Sequence, residues 1–274
     1  MKILYIAEIT GKAGLFCAKK TLAMLKEKHQ ADAMIVCANS ATGAGGLGRQ
    51  HAGYLRKLGA DIITLGDFCF YKKDLTAAFD ATPYVLRPAN LNESVPGSGR
   101  RIIRLANGQK LGVAVLLGQA HFTKLHADNP FAAFDKLVEK MRGQTDALIF
   151  DFHAIATAEK RSLFFWAAGR CSAVIGSHNR VATADEEVLD GTAVICDTGR
   201  TGSQLSVGGW DGQSRVEEYV RGIPDWTKEC WDQLETQGVL IDLASDGAAR
   251  SIVRFREPVT APPPVAVPPP EAAQ

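Results

Sequence analysis

ALIFDFHAIATAEKRSLFFWAAGRCSAVIGSH, residues 147–178, is the stretch that decides the fold. A run from Ala147 to Phe152, apolar except for Asp151, ends on the polar His153. Ala158 to Ala168 then has the length and amphipathic texture of a helix, and a second apolar run, Ala173 to Gly176, is closed by His178. Strands buried on both faces read as continuous apolar runs, and a helix between two such runs is how parallel strands are joined. The stretch therefore reads as strand, helix, strand, with a histidine at the carboxyl end of each strand. In open α/β sheets ligands bind beyond those ends.

The same alternation extends upstream. Ile3 to Ile9 reads as a first strand and Lys12 to Lys28 as a helix carrying Leu15, Leu22 and Leu25. Ala33 to Ala38 is a second strand, Gly43 to Gly48 a glycine-rich loop, and Arg49 to Leu58 a helix. Asp61 to Gly66 is a third strand and Lys73 to Phe79 a short helix. The texture then changes: Arg101 to Leu105 and Lys110 to Leu117 flank Asn107-Gly108, a hairpin turn signal. Pro130 to Met141 reads as a helix opened by proline. Ala193 to Cys196 is a further strand, and Val239 to Leu243 with Ser251 to Phe255 forms a closing hairpin across Asp246-Gly247. The pattern predicts a mainly parallel α/β fold with antiparallel additions, in one domain over residues 1–257. Residues 258–274 hold two Pro-Pro-Pro triplets among Ala and Val. Such a segment is expected to stay extended or disordered, as a passive tail or as a docking segment for a protein that grips polyproline helix.

Composition narrows the class of partner. Of 274 residues, 46% are hydrophobic and 22% charged, enough apolar content for a sizeable core. With 31 basic and 30 acidic residues the net charge is +1, which supplies no long-range pull toward nucleic acid or membrane. No apolar stretch approaches ~20 residues, so no membrane span is expected. Met1 to Ile6 runs straight into a strand without a signal region, and the expected location is the cytoplasm. Cys17, Cys37, Cys69, Cys171, Cys196 and Cys230 form no C-x-x-C pair, which argues against a zinc ribbon or a thioredoxin motif and for reduced thiols. A homo-oligomer is left open.

The strand ends are consistently polar: Glu8, Asn39-Ser40, Asp67, His153, His178 and Asp197. Imidazoles, carboxylates and an amide on one edge are the ligand mix of a divalent transition metal such as iron, manganese or zinc. Singly, a carboxylate after a strand also serves as a helix cap, and a lone histidine is an ordinary core or surface residue. Both readings stand at this point.

Ordered blocks add to this. Met1-Lys2-Ile3-Leu4 through Gly11-Lys12-Ala13-Gly14, Leu86-Arg87-Pro88-Ala89-Asn90 with Pro96-Gly97, and Asp128-Asn129-Pro130-Phe131 come first. Asp151-Phe152-His153-Ala154 with Ala156-Thr157-Ala158-Glu159-Lys160, Gly176-Ser177-His178, Thr183-Ala184-Asp185-Glu186 and Asp197-Thr198-Gly199 follow in register. In these blocks, from Met1 to about Phe255, the chain resembles the bacterial metallophosphoesterases of the YmdB-like family, a branch of the calcineurin-like phosphoesterases. The resemblance implies a two-sheet αββα sandwich with a two-metal site at the strand ends, and phosphodiester hydrolysis, cyclic nucleotides included.

The chain departs from the family pattern at the chemistry. The family has Asp where this chain has Glu8, Glu then Asn at Asn39 and Ser40, Asn then His at Asp67 and Phe68, and His-x-His at His178-Asn179-Arg180. The resemblance implies metal ligation by Glu8, Asn39, Asp67, His153 and His178; the departures reduce the expectation to at most one ion per chain and give Arg180 a phosphate or carboxylate partner, Glu8 foremost. Phe68 stands where the general acid belongs and cannot donate a proton. The expected function is a degenerate metallophosphoesterase that binds a metal or a phosphate-bearing ligand, such as a cyclic nucleotide, with weak or no turnover. The rivals are a one-metal phosphodiesterase with a substitute acid, His121 or His126, and a scaffold acting through its proline-rich end.

Overall fold

A computed structural model describes residues 1–43, 45–224 and 228–261. In chain order the first half contains β1 (Lys2–Ile6), β2 (Glu8–Ile9), α1 (Gly11–Lys28), β3 (Ala33–Cys37), α2 (Arg49–Lys57), β4 (Ile62–Thr64), α3 (Lys73–Thr76), β5 (Val85–Leu86), β6 (Arg100–Arg104) and β7 (Lys110–Leu117). The second half contains α4 (Pro130–Arg142), β8 (Ala147–His153), α5 (Thr157–Ala167), β9 (Ala173–Ser177), β10 (Glu187–Leu189), β11 (Thr192–Ile195), β12 (Arg200–Ser203), α6 (Gly212–Arg221), β13 (Leu234–Leu243) and β14 (Ala249–Val259).

The strands form two sheets. One runs β2-β12-β13-β1-β3-β4-β5, with β14 also paired to β13; the other runs β10-β11-β9-β8-β7-β6. Alternation along β1 shows how they stack. Ile3 and Tyr5 point into a core shared with Val113 and Val115 of β7, Ile149 of β8 and Ile175 of β9. Leu4 and Ile6 point the other way, onto Leu15, Leu22 and Leu25 of α1 and Leu55 of α2. On the second sheet Phe150 and Phe152 face outward onto Phe134 and Val138 of α4 and Leu163 and Phe164 of α5. The result is a helix–sheet–sheet–helix sandwich, and each such fully buried side chain contributes about 1.5–3 kcal/mol. The expected fold class is the one observed.

The differences from the expectation are local. The run Ile3 to Ile9 breaks at Ala7, and β2 leaves the β1 register to pair with β12, Glu8 opposite Arg200. The strands β5, β10 and β12 have two to four residues and follow polar or glycine-rich sequence, which leaves no periodicity to read. Helix α6 buries no side chain and gives no apolar stripe against the core. At the other end, β14 continues through Pro258 to Val259, two residues past the expected boundary. A proline is tolerated there because β14 pairs on one side only, with β13. The rest of the proline-rich end, from residue 262, lies outside the described residues. Among the described residues no helix is long and apolar enough to cross a membrane.

Candidate metal centre

The carboxyl ends of β4, β8 and β9 deliver Asp67, His153 and His178 to one point. His153 Nε2 lies 2.9 Å from Asp67 Oδ1 and 3.0 Å from His178 Nδ1, and His178 Nδ1 is 3.8 Å from Asp67 Oδ1. All three atoms fall within 4.8 Å of one another, as ligands to a single ion about 2.0–2.2 Å from each would. Two neutral imidazoles and one carboxylate suit iron, manganese or zinc, so the residues present fit a divalent ion on both chemistry and spacing. Gly66 makes the approach feasible: a Cβ there would lie 2.2 Å from the His153 ring. Burial alone would raise the Asp67 carboxyl, but hydrogen bonding to His153 and His178 outweighs it and holds the group well below the ordinary carboxylate range. Burial lowers the His178 imidazole, against the pull of Asp67. Both shifts favour the forms that bind metal.

The neighbouring part of the cleft is built differently. Glu8 is 2% exposed, and its Oε1 accepts from Arg180 Nε at 3.0 Å. The same guanidinium donates to Ser40 Oγ and, at 3.3 Å, to the Gly208 carbonyl. Glu8 Oε2 is buried with no hydrogen-bond partner among the described residues. The turn that carries His178 and Arg180 is unusual: their φ angles are +106° and +61°, a region that costs a non-glycine residue about 1–3 kcal/mol. Asp197 holds that turn. Its Oδ2 accepts from Asn179 N at 2.7 Å and its Oδ1 from Gly199 N at 2.9 Å. Burial pushes the Asp197 carboxyl up to about 6, with buried Lys160 opposing from 3.4 Å. Asp197 therefore anchors the loop behind the rim.

Asn39 also differs from the ligand expectation. Its Oδ1 accepts from Gly66 N and Phe68 N at 2.8 and 3.0 Å, while its Nδ2 donates to Asp67 Oδ1 at 2.9 Å. An amide nitrogen has no free lone pair to offer a metal. In this arrangement Asn39 ties the end of β3 to the turn after β4 and orients Asp67. Phe68 packs its ring 4.5 Å from that of Tyr71 and fills the space over Gly45. His121 and His126 are exposed on the loop before α4. That loop supplies a residue the sequence reading missed: the Phe122 ring lies 6.0 Å from the His153 ring and 5.3 Å from that of His178. A lone aromatic in a polar loop was its only signal.

Comparison with known proteins bears on this cleft. The family model described as YmdB-like protein matches residues 4–255. The 2',3'-cyclic-nucleotide 2'-phosphodiesterase of Bacillus subtilis (strain 168) is 34% identical over 244 residues, 89% of this chain and 91% of that protein. A crystal structure of a Mycoplasma pneumoniae protein described as a novel phosphatase superimposes with a TM-score of 0.87 at 27% identity, covering 94% of this chain and 93% of that one. A crystal structure of a hypothetical protein from Thermus thermophilus gives 0.86 at 27% identity, covering 94% of this chain and 100% of that one.

Proposed function

The chain belongs to the YmdB-like family, and on that basis we propose that it binds one divalent transition metal ion through Asp67, His153 and His178, takes a phosphate-bearing small molecule, and hydrolyses phosphodiesters slowly. The observation that carries this reading is the convergence of one carboxylate and two imidazoles within 4.8 Å at three strand ends. When bound, a divalent ion supplies Lewis acidity toward a phosphoryl oxygen and activates water. The protein's own groups do the rest. Asp67, His153 and His178 hold the ion, Asn39 orients Asp67, and Phe122 covers the imidazoles from the loop side. Arg180 holds a permanent cation against Glu8, in the part of the cleft where the family pattern has a second ion.

Slow turnover follows from Phe68. A side chain that can protonate the leaving oxygen is typically worth about 10²–10⁴-fold, and a phenyl ring supplies none of it. A cyclic nucleotide is the ligand we favour, because the Bacillus subtilis relative is described as acting on 2',3'-cyclic nucleotides. The reading takes the protein to work in the cytoplasm, in keeping with six unpaired thiols.

The test is to purify the protein without chelator, count bound metal by elemental analysis, titrate a 2',3'-cyclic nucleotide, and assay a nitrophenyl phosphodiester. About one ion per chain, saturable nucleotide binding and weak turnover are expected. No metal under any loading condition, or robust metal-dependent turnover, would overturn the proposal.

A further inference from the structure

A column of polar groups runs behind His153, through the otherwise apolar core between the two sheets. Asp151 and His153 are two apart on β8 and so share a face, the one that also carries Ile149 into the inter-sheet core. Ser177 is the cross-strand partner of His153 on β9, and Tyr5 reaches across from β1 of the other sheet. Tyr5 is fully buried, and Asp151 and Ser177 are 2% exposed. No lysine or arginine is bonded to Asp151 among the described residues. An ionised carboxylate in such a place is costly unless hydrogen bonds replace its water. Two hydroxyls do so: Tyr5 OH donates to Asp151 Oδ2 and Ser177 Oγ donates to Asp151 Oδ1, both at 2.7 Å.

The proton count then fixes the next link. A serine hydroxyl has one hydrogen, and here Asp151 takes it. Ser177 Oγ also lies 2.9 Å from His153 Nδ1, so in that contact the oxygen can only accept. His153 must carry its proton on Nδ1. In the neutral imidazole, the form that binds metal, Nε2 is left with a lone pair, and Nε2 is the atom that faces Asp67 Oδ1 at 2.9 Å and His178 Nδ1 at 3.0 Å. In that neutral form the lone pair and the carboxylate oxygen share the Asn39 amide beside them, whose Nδ2 donates to Asp67 Oδ1 at 2.9 Å and lies 3.4 Å from Nε2, and a bound cation would take both as donors.

We infer that Asp151, Ser177 and Tyr5 are positioning residues that lock His153 in the Nδ1–H tautomer and so present Nε2 as a metal donor. Outer partners of a metal-ligating histidine fix its tautomer and ring orientation in this way, and their loss typically costs 10–100-fold in metal affinity. Here the device spans both sheets, so the inter-sheet core reports directly on the donor atom. The inference rests on the metal site proposed above, although its tautomer half stands on the metal-free protein alone.

The experiment separates the two. Nitrogen NMR of 15N-histidine-labelled, metal-free protein reads the protonated nitrogen of His153, and titration with Mn²⁺ and Co²⁺ reads affinity, with the visible spectrum of bound Co²⁺ reporting ligand geometry. The native protein should show His153 protonated on Nδ1. Ser177→Ala should mix the tautomers and weaken Co²⁺ binding by about 10–100-fold; Ser177→Thr, which keeps the hydroxyl, should restore both. Asp151→Asn tests the outer link and Tyr5→Phe repeats it more gently, in case Asp151→Asn fails to fold. A native tautomer together with unchanged Co²⁺ affinity in Ser177→Ala would overturn the inference. If the native protein binds no metal, the proposed function fails, and the NMR of Ser177→Ala still decides the tautomer claim.

Discussion

The two parts of the cleft sit side by side where strand ends of the two sheets meet, and they hold positive charge in opposite ways. On one side Asp67, His153 and His178 present lone pairs to a common point and leave room for an ion. On the other, Glu8 already has its cation, the Arg180 guanidinium at 3.0 Å, and Ser40 and Gly208 take further guanidinium protons. A planar guanidinium is permanent and directional, whereas an ion can exchange and act as a Lewis acid. On the proposed one-ion reading, the guanidinium would balance the buried carboxylate where the family pattern has a second ion, without supplying that ion's Lewis acidity.

The largest expected effect separates the two sides outright. His153→Ala should abolish stoichiometric metal, while Glu8→Gln should leave about one ion per chain, because only the former supplies a donor to the triad. Elemental analysis after gel filtration decides it, and loss of metal in both variants would mean the two sides form one site. Next is Arg180→Ala. It strands a carboxylate that is almost fully buried, and breaking such a pair costs about 3–5 kcal/mol. Denaturant unfolding should show the loss, and millimolar Mn²⁺ should recover part of it if the guanidinium stands in for an ion. A variant as stable as the native protein would mean that Glu8 does not depend on this cation. The pH response should be smaller. Burial lowers His178 from 6.5, so protons compete with the metal only below that value. Metal content should hold from about pH 8 to 6.5 and fall only below it; half-release above pH 7 would mean that protonation of His178 does not set the release. Smallest is Phe68→His. An acid restored beside one ion should raise nitrophenyl phosphodiester turnover by less than about tenfold, well short of the ~10²–10⁴-fold a fully placed acid provides. A gain of that full size would make Phe68 the sole defect.

Much of the fold and part of the site are legible in the sequence. Long apolar runs such as Ala147 to Phe152 announce buried strands, and their polar last residues mark the functional edge, because a strand's carboxyl end is where the buried run meets the cleft. The Arg180–Glu8 contact could be anticipated from charge and the family pattern. What could not be read was direction within a side chain. Asn39 stands at the right strand end, but only the two backbone N–H groups of Gly66 and Phe68 decide that its oxygen turns away from the metal point. Asp151 is visible as a lone carboxylate inside an otherwise apolar run, but its role is not, since its partners Tyr5 and Ser177 lie 146 and 26 residues away. Phe122 escapes for a related reason: a loop side chain has no periodicity to betray its target.

The placement of β1 has a consequence for how the chain folds. It lies between β3, which follows it closely, and β13, which pairs Lys2–Ile6 with residues 238–242. Half of the hydrogen-bonding capacity of this inner strand therefore waits for residues 238–242, made long after it. Until they arrive the nascent sheet has an open edge on an apolar strand, a state prone to wrong pairing. Pairings of such long sequence separation are intrinsically slow to form. Strand β1 is thus completed long after β3 has joined it, and the segment around β13 sets when this sheet becomes safe from its own stickiness.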